Sequence, residues 1–293
     1  MTRPLPASTV SGLGVHSGRP CVAVLRPGAP GTGIRFRPLE PRSPTSPPVA
    51  PVAATLDHVL GSTMAVALGD EAFSVSTPEH LLSACAGLGI YDLDVAVAGP
   101  ELPIGDGSAA PWLRALDQLL AAGHGPDAEY VQSFHPAPRP ALRLAAPVEV
   151  WDGDRLARLA PQDGDALTVT ASLSPRAGLA RLGPTTVTVG ITPADYRADV
   201  AWARTFAYAE DAERLQAMGY GAGADLDNTV LVTVDGCANP GGTRGSSEPV
   251  RHKILDALGD LALLGRPVVG HLTLVDSGHS LHLALARALA AVA

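Results

Sequence analysis

Apolar residues along the first half of this chain occur mainly in short runs or alternating patterns, which are typical of β-strands. The strands predicted there lie within Val10–Pro38, at 63–68 and 73–75 around a Gly69-Asp70 turn, and at Asp92–Val97. A helix is expected to follow Thr77 as its N-cap, with Pro78 and Glu79 in its first turn, and to end at Gly87. A second helix is predicted at Ala109–Ala122.

The second half repeats this style of pattern. Its predicted strands are Leu142–Val150, Ala157–Leu159, Leu167–Leu173, Thr185–Gly190, Thr229–Val234 and Val268–Val275. Its predicted helices lie at 192–201, at Asp211–Met218, after Pro249 and after Gly278. Two halves that each combine strands with helices predict an α+β fold of two layered domains that face each other.

Proline-rich segments divide the chain. Residues 38–51 are rich in proline and serine and predict an extended surface loop, and residues 123–140 contain four prolines. We therefore expect an N-terminal α+β domain at 1–123, a linker at 124–140 and a C-terminal α+β domain at 141–293. The site of such a protein is expected in the crevice between the two domains.

The composition limits the class of partner. The 293 residues are 46% hydrophobic and 17% charged, with a formal net charge of -8. This negative charge argues against a nucleic-acid groove as the main function, because binding a phosphate backbone requires a basic surface. An anionic small molecule would instead require a local cluster of basic side chains.

Cysteine usage and hydropathy bear on the compartment. Cys21, Cys85 and Cys237 are odd in number and have no paired spacing, so we expect neither a disulfide framework nor a thiolate metal site. The first residues lack the apolar core of a signal peptide, and no apolar run reaches the length of a membrane span. These features predict a cytoplasmic protein without a membrane span.

Candidate chemistry centres on the helix predicted after Pro249. Side chains four residues apart lie on one helical face, so His252, Asp256 and Asp260 align there, and two of them could hold a metal ion. The opposite, apolar face consists of Leu255, Leu258, Leu261 and Ala262. The alternative is a surface helix that carries histidine and aspartate by chance. Lys253 favours a functional site, since it is the single lysine among 21 basic residues.

Two further segments carry candidate histidines. Glu79 and His80 are predicted at a helix N-terminus, where a carboxylate base and a metal ligand could lie close together. The alternative is a helix-start role for Glu79 and a core position for His80. His279 follows Gly278 directly, and its alternative is an ordinary turn histidine. The pattern alone leaves these alternatives open.

Several separate motifs are distributed over nearly the whole chain. They are Ser11–Gly18, Ser76–Ala84, Pro103–Pro111, Arg204–Phe206, Leu226–Asn228, Val250–Asp260 and Ser277–His279. In this order they resemble the zinc-dependent UDP-3-O-acyl-N-acetylglucosamine deacetylases of lipid A synthesis, and several ordered motifs are more specific than one. The resemblance implies two similar α+β sandwich domains (sheet plus helices, ribosomal-S5-domain-2-like) with the active site in the crevice between them. The resemblance also implies a small insert in each domain, and the second insert, at about 205–234, forms the passage for the acyl chain in that family.

The resemblance also implies a metal site. One Zn²⁺ ion per chain would be held by His80, His252 and Asp256, which leaves one coordination position open for water. The spacing of His252 and Asp256 on one helical face agrees with this role. Fe²⁺ is also compatible with two histidines and one aspartate.

Four more residues receive catalytic roles from the resemblance. Glu79 is the expected general base, and His279 is the expected protonated acid for the leaving amine. Asp260 is expected to keep His279 charged, and Thr205 to donate a hydrogen bond to the tetrahedral oxyanion. The residues expected to contact the substrate are Lys253, Arg204 and Phe206.

The chain departs from the family where the substrate is bound. Asp276 replaces a basic residue that meets the nucleotide diphosphate in the family. The segment Pro140–Leu142 replaces the usual lysines, which leaves Arg139 and Arg143 as expected substitutes. The residues expected to face the acyl passage are small or polar, namely Ala209, Ala212, Gly221 and Asp225.

These features predict a monomeric zinc hydrolase that removes the N-acetyl group of an acylated UDP-glucosamine, a small-molecule substrate. One alternative keeps the chemistry and changes the substrate to another N-acetylated sugar or amide. A second alternative is a non-catalytic zinc-binding homologue, against which the presence of both an acid and a base argues.

Overall fold

The structure is a computed structural model that describes residues 6–40, 49–122, 139–180 and 182–292. These residues form sixteen strands in four sheets, together with six α-helices. The predicted linker at 124–140 lies outside the described residues except for its last two positions. Two large sheets with packed helices confirm the predicted α+β class.

The first half of the chain forms a five-stranded sheet and a small inserted sheet. Alternation directs every second side chain of its strands into the core, as in Pro20–Pro27, where Cys21, Ala23 and Leu25 are buried. The large sheet contains β1 (Ser8–Leu13), β2 (Pro20–Pro27), β3 (Ile34–Pro38), β4 (Val52–Ala53) and β8 (Leu93–Ala98). The small sheet contains β5 (Val59–Gly61), β6 (Ala67–Gly69) and β7 (Ser74–Ser76). The helices are α1 (Glu79–Leu88) and α2 (Ala110–Ala122).

The second half contains the same kinds of element. Its large sheet consists of β9 (Val148–Asp152), β10 (Arg155–Ala160), β11 (Leu167–Ser172), β12 (Thr186–Ile191) and β16 (Gly270–Val275). Its small sheet consists of β13 (Thr205–Tyr208), β14 (Thr229–Thr233) and β15 (Gly236–Cys237). The helices are α3 (Pro193–Asp199), α4 (Ala212–Ala217), α5 (Glu248–Leu261) and α6 (His279–Val292). Short 3-10 helices lie at Leu56–His58, Ala209–Asp211 and Ala262–Leu264.

The two large sheets have the same strand order. It is β1-β2-β8-β3-β4 in the first and β9-β10-β16-β11-β12 in the second. In each sheet the central strand is parallel to one neighbour, β3 or β11, and the other strand pairs described are antiparallel. In each half the small sheet follows the fourth large-sheet strand, and helices come before and after the central strand. The halves are therefore topological repeats, each with an insert.

Helices α1 and α5, which precede the two central strands, pack directly against each other. Gly259 makes this possible, because a Cβ added there would overlap the main-chain carbonyl of Glu79. Tyr196 of α3 also joins the halves, since its buried hydroxyl donates to Ser83 Oγ of α1 at 2.9 Å. Its ring fills the space that Gly87 leaves free. Burying a large side chain of this kind contributes about 1.5–3 kcal/mol, so α3 helps to fix α1 in position.

The start of α1 differs from the prediction. Thr77 is not an N-cap, since it lies in the left-handed region with φ 58° and its hydroxyl donates to Glu101 Oε1 at 2.9 Å. Pro78 occupies the cap position without a side-chain hydrogen bond. Glu79 is in the first turn, as predicted, and is the first helical residue. The hydroxyl of Thr77, which was predicted to cap the helix, thus donates its hydrogen bond to the buried carboxylate of Glu101 instead.

Other element ends also differ from the prediction. Helix α1 continues past Gly87 and ends at Gly89, which has φ 71°. Helix α5 begins at Glu248 rather than after Pro249, so Pro249 lies in its first turn. Proline is tolerated there because the first N–H groups of a helix have no partner within the helix. In the segment predicted as Leu142–Val150, the strand begins only at Val148, and Leu142 forms an isolated bridge to Val268.

Candidate active site

A cavity of about 670 Å³ lies between the two halves. The predicted metal ligands and catalytic residues that line it are Glu79 and His80 from α1, Thr205 from β13, His252 and Asp256 from α5, and His279 from α6. Asp260 does not line the cavity and lies behind His279. The fold therefore brings residues that are far apart in the chain into one crevice.

His80, His252 and Asp256 form a buried group, and each offers one ligand atom within 4.8 Å of the others. His252 donates Nδ1–H to the carbonyl of Ala203 at 3.0 Å, because a carbonyl oxygen can only accept. Its Nε2 then faces Asp256 Oδ1 at 3.2 Å. Two groups with lone pairs at this distance require a proton or a cation between them. A divalent cation fits this donor set, which combines imidazole and carboxylate ligands.

The protonation states agree with metal binding. Burial, together with the nearby His252, lowers the pKa of His80 to about 3, so that His80 is neutral near pH 7. Its buried Nδ1 has no hydrogen-bond partner among the described residues. Burial opposes the charge of Asp256, but His252 and Lys253 hold its pKa well below the usual value. Neutral imidazole and ionised carboxylate are the forms that bind metals, so His80 and Asp256 are in the required protonation states.

Glu79 is buried and lies beside the metal-ligand group. Its Oε2 accepts a hydrogen bond from the main-chain N–H of Val66 at 3.4 Å, and its Oε1 lies 3.9 Å from Nε2 of His279. Burial raises the pKa of Glu79 to about 8 in the metal-free protein. A cation at the adjacent site would favour its ionised form, so the carboxylate can accept a proton at neutral pH.

His279 is held by a carboxylate on its other side. Its Nδ1 donates to Oδ2 of Asp260 at 2.9 Å. Burial disfavours the charged imidazole, but Asp260, Asp256 and Glu79 outweigh burial and raise the pKa of His279 to about 10. His279 is therefore an imidazolium near neutral pH, which can donate a proton from Nε2 into the cavity.

Lys253 and Phe206 also line the cavity. The Lys253 Nζ lies 3.3 Å from Oδ2 of Asp256 and 5.5 Å from the centre of the Phe206 ring. The main-chain N–H of Thr205 donates to the carbonyl of Gly107 at 2.8 Å, which fixes the start of β13 beside the cavity. The structure thus brings these three predicted residues to the cavity together.

Arg204 is placed differently. Its side chain is buried away from the cavity and forms an ion pair with Glu248, with Nε 2.9 Å from Oε1. The same Glu248 oxygen accepts from the main-chain N–H of Arg204 at 3.0 Å, and one guanidinium nitrogen donates to the carbonyl of Gly242. The geometry thus gives Arg204 a structural position at the start of α5 and lends no support to the predicted substrate contact.

Comparison with known proteins gives the family. A profile of the UDP-3-O-acyl N-acetylglycosamine deacetylase family (LpxC) matches residues 6–291. The chain belongs to this family. A UDP-3-O-acyl-N-acetylglucosamine deacetylase of an Anaeromyxobacter species is 39% identical over 277 residues, which cover 94% of this chain and 84% of the relative. A protein of the same name from Phenylobacterium zucineum is 39% identical, and the match covers 96% of this chain and 90% of the relative. Another from Myxococcus xanthus is 36% identical, and the match covers 96% of this chain and 83% of the relative.

Membership in this deacetylase family makes the protein a hydrolase that acts on an amide. The family consists of metalloenzymes, and the buried His80, His252 and Asp256 are a group that can hold a metal ion. Among the described residues, no helix has the length and apolar character needed to cross a bilayer.

The predicted substitutes for the deacetylase family's phosphate-binding lysines do not line the cavity. Arg139 contacts the carbonyl of Gly265 at 2.8 Å and forms an ion pair with Asp92. Arg143 is exposed and pairs with Asp165. The arginines that line the cavity are Arg155, Arg176 and Arg214. They come from β10, from the segment after β11 and from α4, so their convergence follows from the fold rather than from a motif.

Some residues of the site were not predicted from the sequence. His282 donates Nδ1–H to Asp260 at 2.8 Å, and its position three residues after His279 on a helix was a signal that could have revealed it. Glu101 accepts hydrogen bonds from the main-chain N–H groups of His16 and Ser17 and from Thr77. No periodicity marks Glu101, because it lies outside the strands and helices and forms an isolated bridge to Ser76.

Backbone strain is concentrated around this site. Within the described ranges, the non-glycine residues with positive φ are Met64, Thr77, Ser247 and Asp276. Thr77 and Asp276 each lie two or three residues before a proposed catalytic side chain, and Ser247 precedes α5. Such conformations cost about 1–3 kcal/mol each and persist only where the surrounding structure holds them. The fold therefore stores strain where it aims the functional side chains.

Proposed function

We propose that this protein removes the acetyl group from the nitrogen of UDP-3-O-acyl-N-acetylglucosamine, a step of lipid A synthesis. The observation that carries the proposal is the distance of 3.9 Å between Oε1 of Glu79 and Nε2 of His279. Both side chains lie next to the buried group of His80, His252 and Asp256. A base, an acid and a metal-ligand group in one cavity match amide hydrolysis. The names of the relatives support the choice of substrate.

The proposed metal is one Zn²⁺ ion, held by His80, His252 and Asp256. When bound, the ion would supply a Lewis acid that polarises the acetyl carbonyl and makes a water molecule more acidic. The hydrogen bond from His252 to the carbonyl of Ala203 fixes that ring with its Nε2 beside Asp256, where it would be available as a ligand. Fe²⁺ is the competing ion, because imidazole and carboxylate ligands accept both.

The catalytic side chains would transfer protons at different steps of the reaction. Glu79 takes a proton from the attacking water while the water oxygen bonds to the carbonyl carbon. The hydroxyl of Thr205 donates to the carbonyl oxygen as it becomes negative. His279 then gives the proton on Nε2 to the nitrogen while the carbon–nitrogen bond breaks. The products are acetate and the free amine of the sugar.

The walls of the cavity fit both ends of the proposed substrate. Arg155, Arg176 and Arg214 provide positive charge for a diphosphate, although Asp211 pairs with Arg176 at 2.6 Å and with Arg214 at 2.8 Å. Of the four small or polar residues predicted to face the acyl passage, only Gly221 lines the cavity. The other insert residues that line it are Thr205, Phe206, Ala207, Tyr208, Asp211, Arg214, Leu215, Tyr220, Ala224 and Thr229. Several of them are apolar, which favours an acyl chain.

The proposal is tested by measuring bound metal and amine release, with wild type beside His252→Ala. The two substrates are UDP-3-O-acyl-N-acetylglucosamine and UDP-N-acetylglucosamine. Release that depends on metal and on the acyl chain is the expected result. Release from neither substrate, with one equivalent of metal bound, would overturn the substrate assignment and leave the metal site intact.

A second candidate keeps the chemistry and changes the substrate to another N-acetylated sugar or amide. The observation that favours it is the acidic character of one cavity wall, where Asp276 and Asp211 lie near the arginines. The carboxylate of Asp276 accepts a hydrogen bond from the main-chain N–H of Ser174 at 2.6 Å, so it is fixed in this wall. Amine release from simple N-acetyl sugars, in parallel with the UDP substrates, distinguishes the two candidates.

A further inference from the structure

His282 is a second buried histidine that contacts Asp260. It lies on α6, one turn after His279, and its ring does not line the cavity. Its Nδ1 is 2.8 Å from Oδ2 of Asp260, which is the same oxygen that His279 contacts at 2.9 Å. Its Nε2 is 2.8 Å from Oγ of Ser277. One carboxylate oxygen is therefore shared by two imidazoles.

The contacts assign the protons in this cluster. An ionised carboxylate can only accept, so both His279 and His282 carry a proton on Nδ1. Burial lowers the pKa of His282, so its Nε2 is a bare acceptor and the hydroxyl of Ser277 donates to it. The result is a continuous chain in which Ser277 donates to His282, His282 donates to Asp260, and Asp260 also accepts from His279.

We propose that His282 is a positioning residue for Asp260. By donating a hydrogen bond to Oδ2 of Asp260, His282 makes this oxygen a weaker acceptor for the Nδ1–H of His279. The inference rests on the proposed function of His279 as the acid of a deacetylase. Each hydrogen bond donated to Asp260 stabilises its negative charge and makes its oxygen a weaker acceptor for the other donor. A carboxylate that served His279 alone would keep the imidazolium protonated more strongly.

This sharing has a catalytic consequence. A general acid works best when its pKa lies near the pH at which the enzyme operates. The surrounding carboxylates raise the pKa of His279 far above neutrality, so a group that weakens Asp260 as an acceptor brings the acid closer to its useful range. The same two contacts join α6 to α5 and leave the His279 ring little freedom to turn.

Several charged or titratable groups face the two imidazoles. They are Asp256, Asp260 and Lys253 of α5, Glu79 and His80 of α1, His16 before β2, and Arg155 of β10 beside Gly278. Within the described ranges, the side chains that hydrogen-bond to either ring are Asp260 and Ser277. Removing the imidazole of His282 therefore removes one hydrogen bond of Asp260 and one of Ser277, and it removes no hydrogen bond of His80, His252 or Asp256.

The test compares His282→Leu with His282→Asn in the metal-loaded enzyme. Leucine removes the donor, and asparagine keeps an N–H donor near the position of Nδ1. We expect His282→Leu to move the basic limb of the kcat/KM profile upward by on the order of one pH unit, with metal content unchanged. His282→Asn is expected to restore the wild-type limb, and His271→Leu, which removes a histidine bonded to Thr170 on the sheet, is the control.

Nitrogen NMR titration of the His279 ring separates this inference from the proposed function. An upward shift of the His279 pKa in His282→Leu supports the inference even if no UDP-linked substrate is turned over. An unchanged or lower pKa, with activity reduced equally at every pH, would overturn it and leave His282 a structural residue. If His282→Leu does not fold, Ser277→Ala replaces it and must give a smaller shift in the same upward direction.

Discussion

Gly259 of α5 lies directly against the main-chain carbonyl of Glu79 at the start of α1. The proposed general base and the helix that carries two of the proposed metal ligands are thus in contact through backbone atoms. The distance between base and metal site depends on the absence of a single side chain.

Gly259→Ala is expected to separate the two helices. Because the neighbour is backbone rather than a flexible side chain, the overlap has to be relieved by movement of α1 or α5, and overpacking of this kind costs about 1–3 kcal/mol of unfolding free energy. Chemical denaturation and metal titration should give lower stability and weaker metal binding. Gly190→Ala is the control, since its added Cβ meets only Asp195 Oδ2, at 3.9 Å. Equal behaviour of the two variants would contradict the argument.

Glu79→Gln should abolish most turnover while the protein keeps its metal. The amide has the size of the carboxylate but cannot accept the proton, so kcat is expected to fall by a factor on the order of 10²–10⁴. Glu213→Gln, on the exposed helix α4, serves as the matched control. Steady-state rates with parallel metal analysis check this, and loss of metal from Glu79→Gln would instead identify Glu79 as a ligand.

Asp260→Asn is expected to move the basic limb of the pH profile to lower pH. Burial alone lowers the pKa of His279, and Asp260 is the largest of the groups that raise it to about 10. Without that negative charge the imidazolium loses its proton at lower pH, so activity falls earlier as the pH rises. The kcat/KM profile measures this shift. A basic limb in the same place would mean that His279 does not control it.

Metal removal should lower the thermal stability of the wild-type protein. The proposed ligands come from α1 and α5, so a bound ion connects the two halves in the folded state only, and at free zinc 100 times the Kd it contributes about 2.7 kcal/mol. Melting temperatures with chelator and after zinc is restored check this. His252→Ala should lose the response, and His271→Ala should keep it. A response retained by His252→Ala would place the ion elsewhere.

Arg204→Met tests whether Arg204 is structural or binds substrate. Its partner Glu248 is fully buried, and removal of one member of a buried ion pair leaves an uncompensated charge that costs about 3–5 kcal/mol. Denaturation should therefore give a large loss of stability, with an unchanged KM at a temperature where the variant is folded. Exposed Arg197→Met, which loses a surface pair with Asp117, should cost about 0–1 kcal/mol. A raised KM with normal stability would restore the predicted substrate contact.

The parts of the site that lie on one helix could be predicted from spacing alone. His252 and Asp256 fall on the same face because residues four apart stack in a helix, and the structure has both facing the cavity. Their partner His80 comes from a distant segment, and no periodicity connects it to α5. It was assigned from the resemblance to a family, and the topological repeat of the two halves explains how α1 meets α5.

The errors of the sequence interpretation have a common physical cause. Thr77 has the right residue type for a helix cap, but the buried carboxylate of Glu101 takes its hydroxyl, so tertiary contact overrides local preference. Gly87 has the right type for a helix end, but it is needed where the ring of Tyr196 packs. The substrate contact expected of Arg204 stays a prediction, although its side chain pairs with Glu248, a contact that sequence position cannot reveal.

The division of the proposed ligands between α1 and α5 also sets an order of events during synthesis. The ribosome completes His80 and the whole first sheet long before it reaches Asp256. A three-ligand site therefore does not exist while the N-terminal half stands alone, and the ion is captured only after α5 has been released and has packed against α1. The metal content of a preparation then measures the fraction of fully folded chains, because a truncated chain, or one whose helices have not packed together, lacks a complete set of ligands.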